Sequence, residues 1–242
     1  MSTASEIVHD ERARPVAPWW HSLIFLLIIA GTVRLGYVAQ HRASAGPGLT
    51  SQHTGVIKIY AAAAVLDWLL FWFCWWGVSL KKVSLRDIFQ PRWNSLHAFA
   101  IDMAWTIPFW FVWEYTALGV HKLLGPIHAR TVDILLPQSV AEVLAWIGVS
   151  ITAGIAEEFV FRGYVQRQVL GMTNNIAFAV VLQGIIFGAA HAYQGWKNVV
   201  VISVLGILYG VFAVWRKSLL PNVVAHAFTD IYEGWLKFVL FR

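Results

Sequence analysis

Ala156-Glu157-Glu158-Phe159-Val160-Phe161-Arg162-Gly163 sets two adjacent carboxylates and an arginine inside an otherwise apolar sequence. An ionised group at the centre of a membrane helix costs about 2.5–3.5 kcal/mol on insertion scales, so three within six residues point to a use. The 242-residue chain around them is 58% hydrophobic and 13% charged, which excludes an ordinary soluble domain. The expected fold class is all-α: a polytopic membrane helix bundle of about seven transmembrane helices, or eight with a re-entrant segment. The net charge of +5 does not point to nucleic acid, because Lys and Arg fall mainly at the ends of apolar segments. There they act as topology signals and contacts for membrane lipid headgroups.

Outward from this stretch, the fourth of seven apolar segments runs from Ser139 without a breaker to Gly171-Met172-Thr173-Asn174-Asn175. It is longer than a bilayer needs. The fifth is Ile176 to Tyr193, the sixth Val199 to Trp215 and the seventh Leu219 to Leu240, with Arg216-Lys217 marking a cytoplasmic turn. Before the stretch lie Trp19 to Ala39, Val56 to Leu80, and Leu96 to Val120, the last expected to kink at Pro108. Lys81, Lys82, Arg86 and Arg92 form the densest positive cluster, which places their loop and the N-terminus in the cytoplasm. The chain is expected to divide into a retained cytoplasmic tail (1–18), N-terminal transmembrane helices (19–138) and a catalytic transmembrane core (139–242).

Several polar features receive bland readings. Gly46-Pro47-Gly48 is a turn, and His121 and His128, seven apart, lack the further ligands a metal needs. Cys74, the single cysteine, excludes an internal disulfide and reads as a buried thiol. Asp67, Asp102 and Glu114 are read as interhelical hydrogen-bonding groups or partners of Arg34, with no catalytic part, and Phe187 as packing.

On a helix, Glu158 and Arg162 stand four apart in the orientation that lets them pair, while Glu157 is turned about 100° away and stays unclaimed. That gives two carboxylates two roles, orientation for Glu158 and acid–base work for Glu157. The breaker at 171–175 makes segments four and five a hairpin. Glu157 lies about 21 Å before it and His191 about 24 Å after it, at nearly one depth. His226 and Asp230 share one face of the seventh segment. Glu157, His191, His226 and Asp230 are therefore expected to converge in a wet cavity reached from the cytoplasm.

At these residues the sequence resembles the CAAX prenyl protease and bacteriocin-processing family of intramembrane glutamate endopeptidases, the Ras-converting enzyme type, also called Abi. The family's motifs are Glu-Glu-x-x-x-Arg, Phe-x-x-x-His and His-x-x-x-Asn, or a close variant of the last. Here they read Glu157-Glu158-Phe159-Val160-Phe161-Arg162, Phe187-Gly188-Ala189-Ala190-His191 and His226-Ala227-Phe228-Thr229-Asp230. The resemblance covers roughly Val140 to Trp235.

It implies peptide hydrolysis by water, with Glu157 as general base, His191 holding or deprotonating the water and His226 stabilising the oxyanion. Glu158 and Arg162 would orient the helix and the field. The departure is Asp230, since an ionised carboxylate can only accept where the family's Asn can donate; it either orients His226 or is itself protonated.

The implied partner is a protein or peptide substrate, lipid-modified or membrane-anchored, and the implied address is the plasma membrane if the chain is bacterial. No cofactor is expected. Zinc on Glu157, His191 and His226 is the alternative mechanism, although His-Glu-x-x-His is absent. Gly-x-Ser-x-Gly and Gly-x-Gly-Asp, signatures of other intramembrane proteases, are also absent. A non-enzymatic immunity factor, scaffold or carrier is the rival class, but the inverted repeats a carrier predicts are not seen.

Overall fold

The computed structural model describes residues 13–45, 55–91, 93–125, 135–236 and 239, and among them the regular elements are all helical. Helices α1 (Trp19–Ala45) and α2 (Val56–Ser79) come first, followed by a short α3 (Leu85–Phe89) and α4 (Leu96–Leu124), which contains Pro108. Helix α5 (Val140–Glu157) continues without interruption as a π-helix (Glu158–Gln166) and then α6 (Arg167–Thr173). Helix α7 (Ile176–Ala190) leads through a 3-10 turn (Ala192–Gln194) into α8 (Trp196–Arg216). Helix α9 (Leu220–Ile231) ends in a second π-turn (Tyr232–Leu236). Gly46-Pro47-Gly48 and His128 lie outside the described residues, while His121 sits within α4.

Four helical stretches are long and apolar enough to cross a membrane: Trp19–Val38, Val56–Ser79, Val140–Thr173 and Trp196–Arg216. Together they mark an integral membrane protein. The expected fifth and seventh spans are shorter as helices, 15 residues in α7 and 12 in α9 before its π-turn. Helix α4 has 29 residues but is not among the four, its apolar run being interrupted by Asp102, Pro108 and Glu114. Large apolar side chains face outward on most helices, among them Trp19, Leu27, Trp72, Ile107 and Trp196. An outward apolar surface is what a lipid solvent requires.

The hairpin expected at 171–175 is present, and its residues explain it. Asn174 takes the left-handed conformation that stops α6, and the Asn175 side chain caps α7 by accepting from the Phe178 amide at 3.0 Å. Within the long arm every residue from Glu158 to Gln166 is buried, so this π-helix is the hub of the core. Phe159 packs on Phe71 of α2 and on Phe89, and Tyr164 bonds His21 of α1 at 2.8 Å. Cys74 is fully buried beside these aromatics, as expected of a packing thiol.

The arms α7 and α8 approach closely because small residues face each other. A Cβ on Gly184 or Gly188 of α7 would collide with the α8 backbone at Ser203 and Val199, and one on Gly206 would meet Gly184. Small-xxx-small spacing lets backbones approach where lipid provides no hydrophobic drive.

The loop after α2 contains α3, which the sequence reading passed over. Ser84 and Asp87 form a capping box, and the Ser84 bonds hold the Asp87 carboxyl below its usual range. Arg167 clamps the loop by donating to the Asp87 and Ile88 carbonyls at 2.7 and 2.8 Å, and the Leu219 amide donates to Phe89 O at 3.0 Å. The positive loop, the hairpin end and the α8–α9 turn thus gather at one end of the bundle.

Candidate active site

The π-helix, α7, α8 and α9 together enclose Glu158. Its side chain and that of Arg162 are both fully buried and paired at 2.9 Å, as the i,i+4 spacing predicts. The other Glu158 oxygen, Oε2, accepts from Asn222 Nδ2 of α9 at 3.1 Å. Arg162 also donates to Gly206 O at 3.1 Å and lies between the rings of Phe187 and Tyr209, 4.5 and 5.1 Å from their centroids. Arginine is permanently charged, so the guanidinium supplies a fixed counter-charge, and the two ring faces help accommodate it where water is absent.

His226 joins the two carboxylates that the sequence reading had separated. Its Nδ1 donates to Glu158 Oε1 at 2.9 Å, and its Nε2 faces Glu157 Oε2 at 3.6 Å and Asp230 Oδ2 at 3.8 Å. The first is a hydrogen bond and the other two are longer than one, leaving Nε2 pointed into a space where a water or reacting group can come between. Burial grades in the same direction: Glu158 is closed off, the Glu157 side chain is 19% exposed and that of Asp230 is 35% exposed. Glu158 therefore does more than orient its own helix. It fixes the ring tautomer of His226 with the proton on Nδ1, because a carboxylate held by arginine can only accept.

His191 is placed at the margin. It closes α7, its Nδ1 donates to Phe187 O at 2.9 Å, and it joins no ion pair among the described residues. The Phe187 ring lies between the two histidines, its centroid 4.9 Å from that of His191 and 6.1 Å from that of His226. With its proton on Nδ1, His191 retains Nε2 as an acceptor for a water. Among the described residues no three His, Cys, Asp or Glu side chains form a group that could hold a metal ion.

Three residues that matter here receive no part in the site from the sequence. Phe187, read as packing, covers Arg162 and touches both imidazoles. Asn222 stands one turn before His226 on the same helix face, a spacing that would have flagged it. Asp67 of α2 interacts electrostatically with Glu157, His226 and Asp230, although it was assigned to interhelical bonding. Asp102 does bond between helices, but its partner is Arg216 of α8 rather than Arg34, and Trp93 also donates to it at 2.9 Å.

The fold and this buried acid–imidazole cluster define an all-helical membrane protein with an intramembrane polar site. Residues 139–232 match the family model described as "Type II CAAX prenyl endopeptidase Rce1-like". No curated protein and no solved structure matches the chain. The match takes in all three motifs of the resemblance and covers the C-terminal part of the chain alone.

Proposed function

We propose that the protein is an intramembrane glutamate endopeptidase that cuts a peptide bond near the C-terminus or membrane anchor of a protein or peptide substrate. The observation that carries this reading is His226 standing between Glu158, fully buried and paired, and Glu157, whose side chain is 19% exposed. Glu157 takes a proton from water as the water oxygen attacks the scissile carbonyl. As an imidazolium, held by Glu158, His226 donates Nε2–H to the developing oxyanion, and the surrounding carboxylates match its charge. The C–N bond then breaks, and Glu157 returns the proton to the leaving amine. Arg162 and Asn222 keep Glu158 in place, His191 accepts from the attacking water, and Asp230 orients His226 from its Nε2 side.

In this reading the hydrolysis uses no metal. The substrate is lipid-modified or membrane-anchored and arrives among membrane lipids. The site opens to the cytoplasmic side, supported by the clustering of Lys81, Lys82 and Arg86 at the bundle end that also bears the hairpin tip.

The test compares C-terminal peptides of the membrane proteome in cells carrying the native protein and the Glu157→Gln form. A defined set of new C-termini should vanish with Glu157→Gln and persist under strong chelation. An identical set in both strains overturns the protease reading, and loss on chelation alone overturns the metal-free mechanism.

A further inference from the structure

Helix α2 lies outside the Rce1-like match, yet it brings one acidic side chain to the site. Asp67 is the sole acidic residue of α2, with 11 residues before it and 12 after it in a 24-residue apolar helix. The register is set by two ring contacts: Tyr60 with Trp146 at 5.3 Å and Phe71 with Phe159 at 4.3 Å, so α2 runs parallel to α5. Asp67 is one turn before Phe71 on the same face. This places it about 6 Å along the axis from the Phe159 level, beside the turn that ends in Glu157. It falls within electrostatic reach of Glu157, His226 and Asp230, and the Tyr193 phenol beyond α7 lies in the field of the same acids.

Asp67 makes no hydrogen bond or ion pair among the described residues, and His226 is committed at ion-pair distance to Glu158, Glu157 and Asp230. Arg162 is likewise committed to Glu158. A carboxylate midway along an apolar helix, facing two other carboxylates and with no cation of its own, is the one whose charge is least compensated. A neutral carboxylic acid at the same place costs less and gains an O–H donor.

We propose that Asp67 holds a proton and is a positioning residue of the site, donating its one hydrogen bond, directly or through a water, to the Glu157 carboxylate that faces His226. This rests on the protease reading for its purpose but not for its test. The proton supplies a donor that the ionised Asp230 lacks, and it keeps Glu157 from being drawn away from the cavity toward His226. Nothing is transferred in the step: the proton stays on Asp67 throughout.

The first experiment uses difference infrared spectra of the full chain in detergent at neutral pH, native against Asp67→Asn and Asp67→Leu. The expected result is loss of a protonated-carboxyl C=O band in both variants. A difference confined to carboxylate bands overturns the proposal.

The second measures cleavage of a prenylated CAAX peptide in proteoliposomes, with Glu157→Gln as reference. Asp67→Asn, still a neutral donor, should keep kcat within about threefold of native. Asp67→Leu, which suits an apolar helix but cannot donate, should lose about tenfold or more in kcat with KM little changed, a difference of about 1.4 kcal/mol or more. Equal activity of Asp67→Leu and native protein overturns the proposal while leaving the protease reading intact, provided Glu157→Gln is inactive. Equal loss in Asp67→Asn and Asp67→Leu overturns it in favour of an ionised carboxylate. Failure of Glu157→Gln to reduce cleavage faults the protease reading alone, and the infrared result still decides the protonation of Asp67.

Discussion

Asn222 holds the buried carboxylate against which His226 rests. Its amide donates to Glu158 Oε2 at 3.1 Å and to Tyr209 O at 2.9 Å, so it ties the carboxylate that fixes His226 to the backbone of α8. Replacing Asn222 with Leu leaves a buried carboxylate oxygen without a donor, which costs about 1–3 kcal/mol. The expected outcome is a kcat lower by about tenfold, with a lower thermal midpoint in detergent. The pairing of Glu158 with Arg162 and the shared face of His226 and Asp230 were legible from spacing alone, because each lies within a single helix where a four-residue interval fixes direction. The Glu158–His226 bond was not legible, because it joins residues 68 positions apart and depends on how α9 packs.

At the scale of elements, the hairpin was readable because Gly and two Asn interrupt an apolar run, and Asn174 and Asn175 perform the stop and the restart. The π-helix from Glu158 to Gln166 was not readable from an apolar run with no breaker. Such wide turns are rare and occur often at functional sites; here the turn carries both members of the buried ion pair. The close α7–α8 contact makes a direct prediction. A Cβ on Gly188 would fall 2.0 Å from Ser203 Oγ and 2.5 Å from Val199 O, and backbone cannot step aside as a flexible side chain can. Gly188→Val should therefore push α7 outward, destabilise by about 1–3 kcal/mol as overpacked cores do, and lower the thermal midpoint in detergent. It should also reduce cleavage, since Phe187 and His191 ride on α7.

Across the whole molecule, the N-terminal helices brace the core and also complete it. Arg216 at the end of α8 pairs with Asp102 of α4 through two nitrogens, and Trp93 donates to the other carboxylate oxygen. The side chains of Arg216 and Asp102 are 16% and 3% exposed, so Asp102→Ala removes the ion-pair partner of a largely buried guanidinium, and breaking such a pair costs about 3–5 kcal/mol. Unfolding in detergent should show this loss, while cleavage by the surviving folded fraction should stay near native, because the pair is remote from Glu157. Asp67→Leu has the opposite expected signature, a stable protein with impaired turnover.

The sequence by itself determined that the chain is an α-helical membrane protein, that Glu158 with Arg162 and His226 with Asp230 share faces of their helices, and that a hairpin follows the first motif. These follow from composition, helical period and turn residues, all of which act over short stretches of chain. Tertiary structure alone decided that His226 bonds the buried Glu158 while facing Glu157, that His191 stands aside behind Phe187, and that Asp67 arrives from α2. The reason is physical: a helix fixes which side a residue faces, but which helix lies opposite depends on packing, and in this bundle glycines and aromatic rings set that packing.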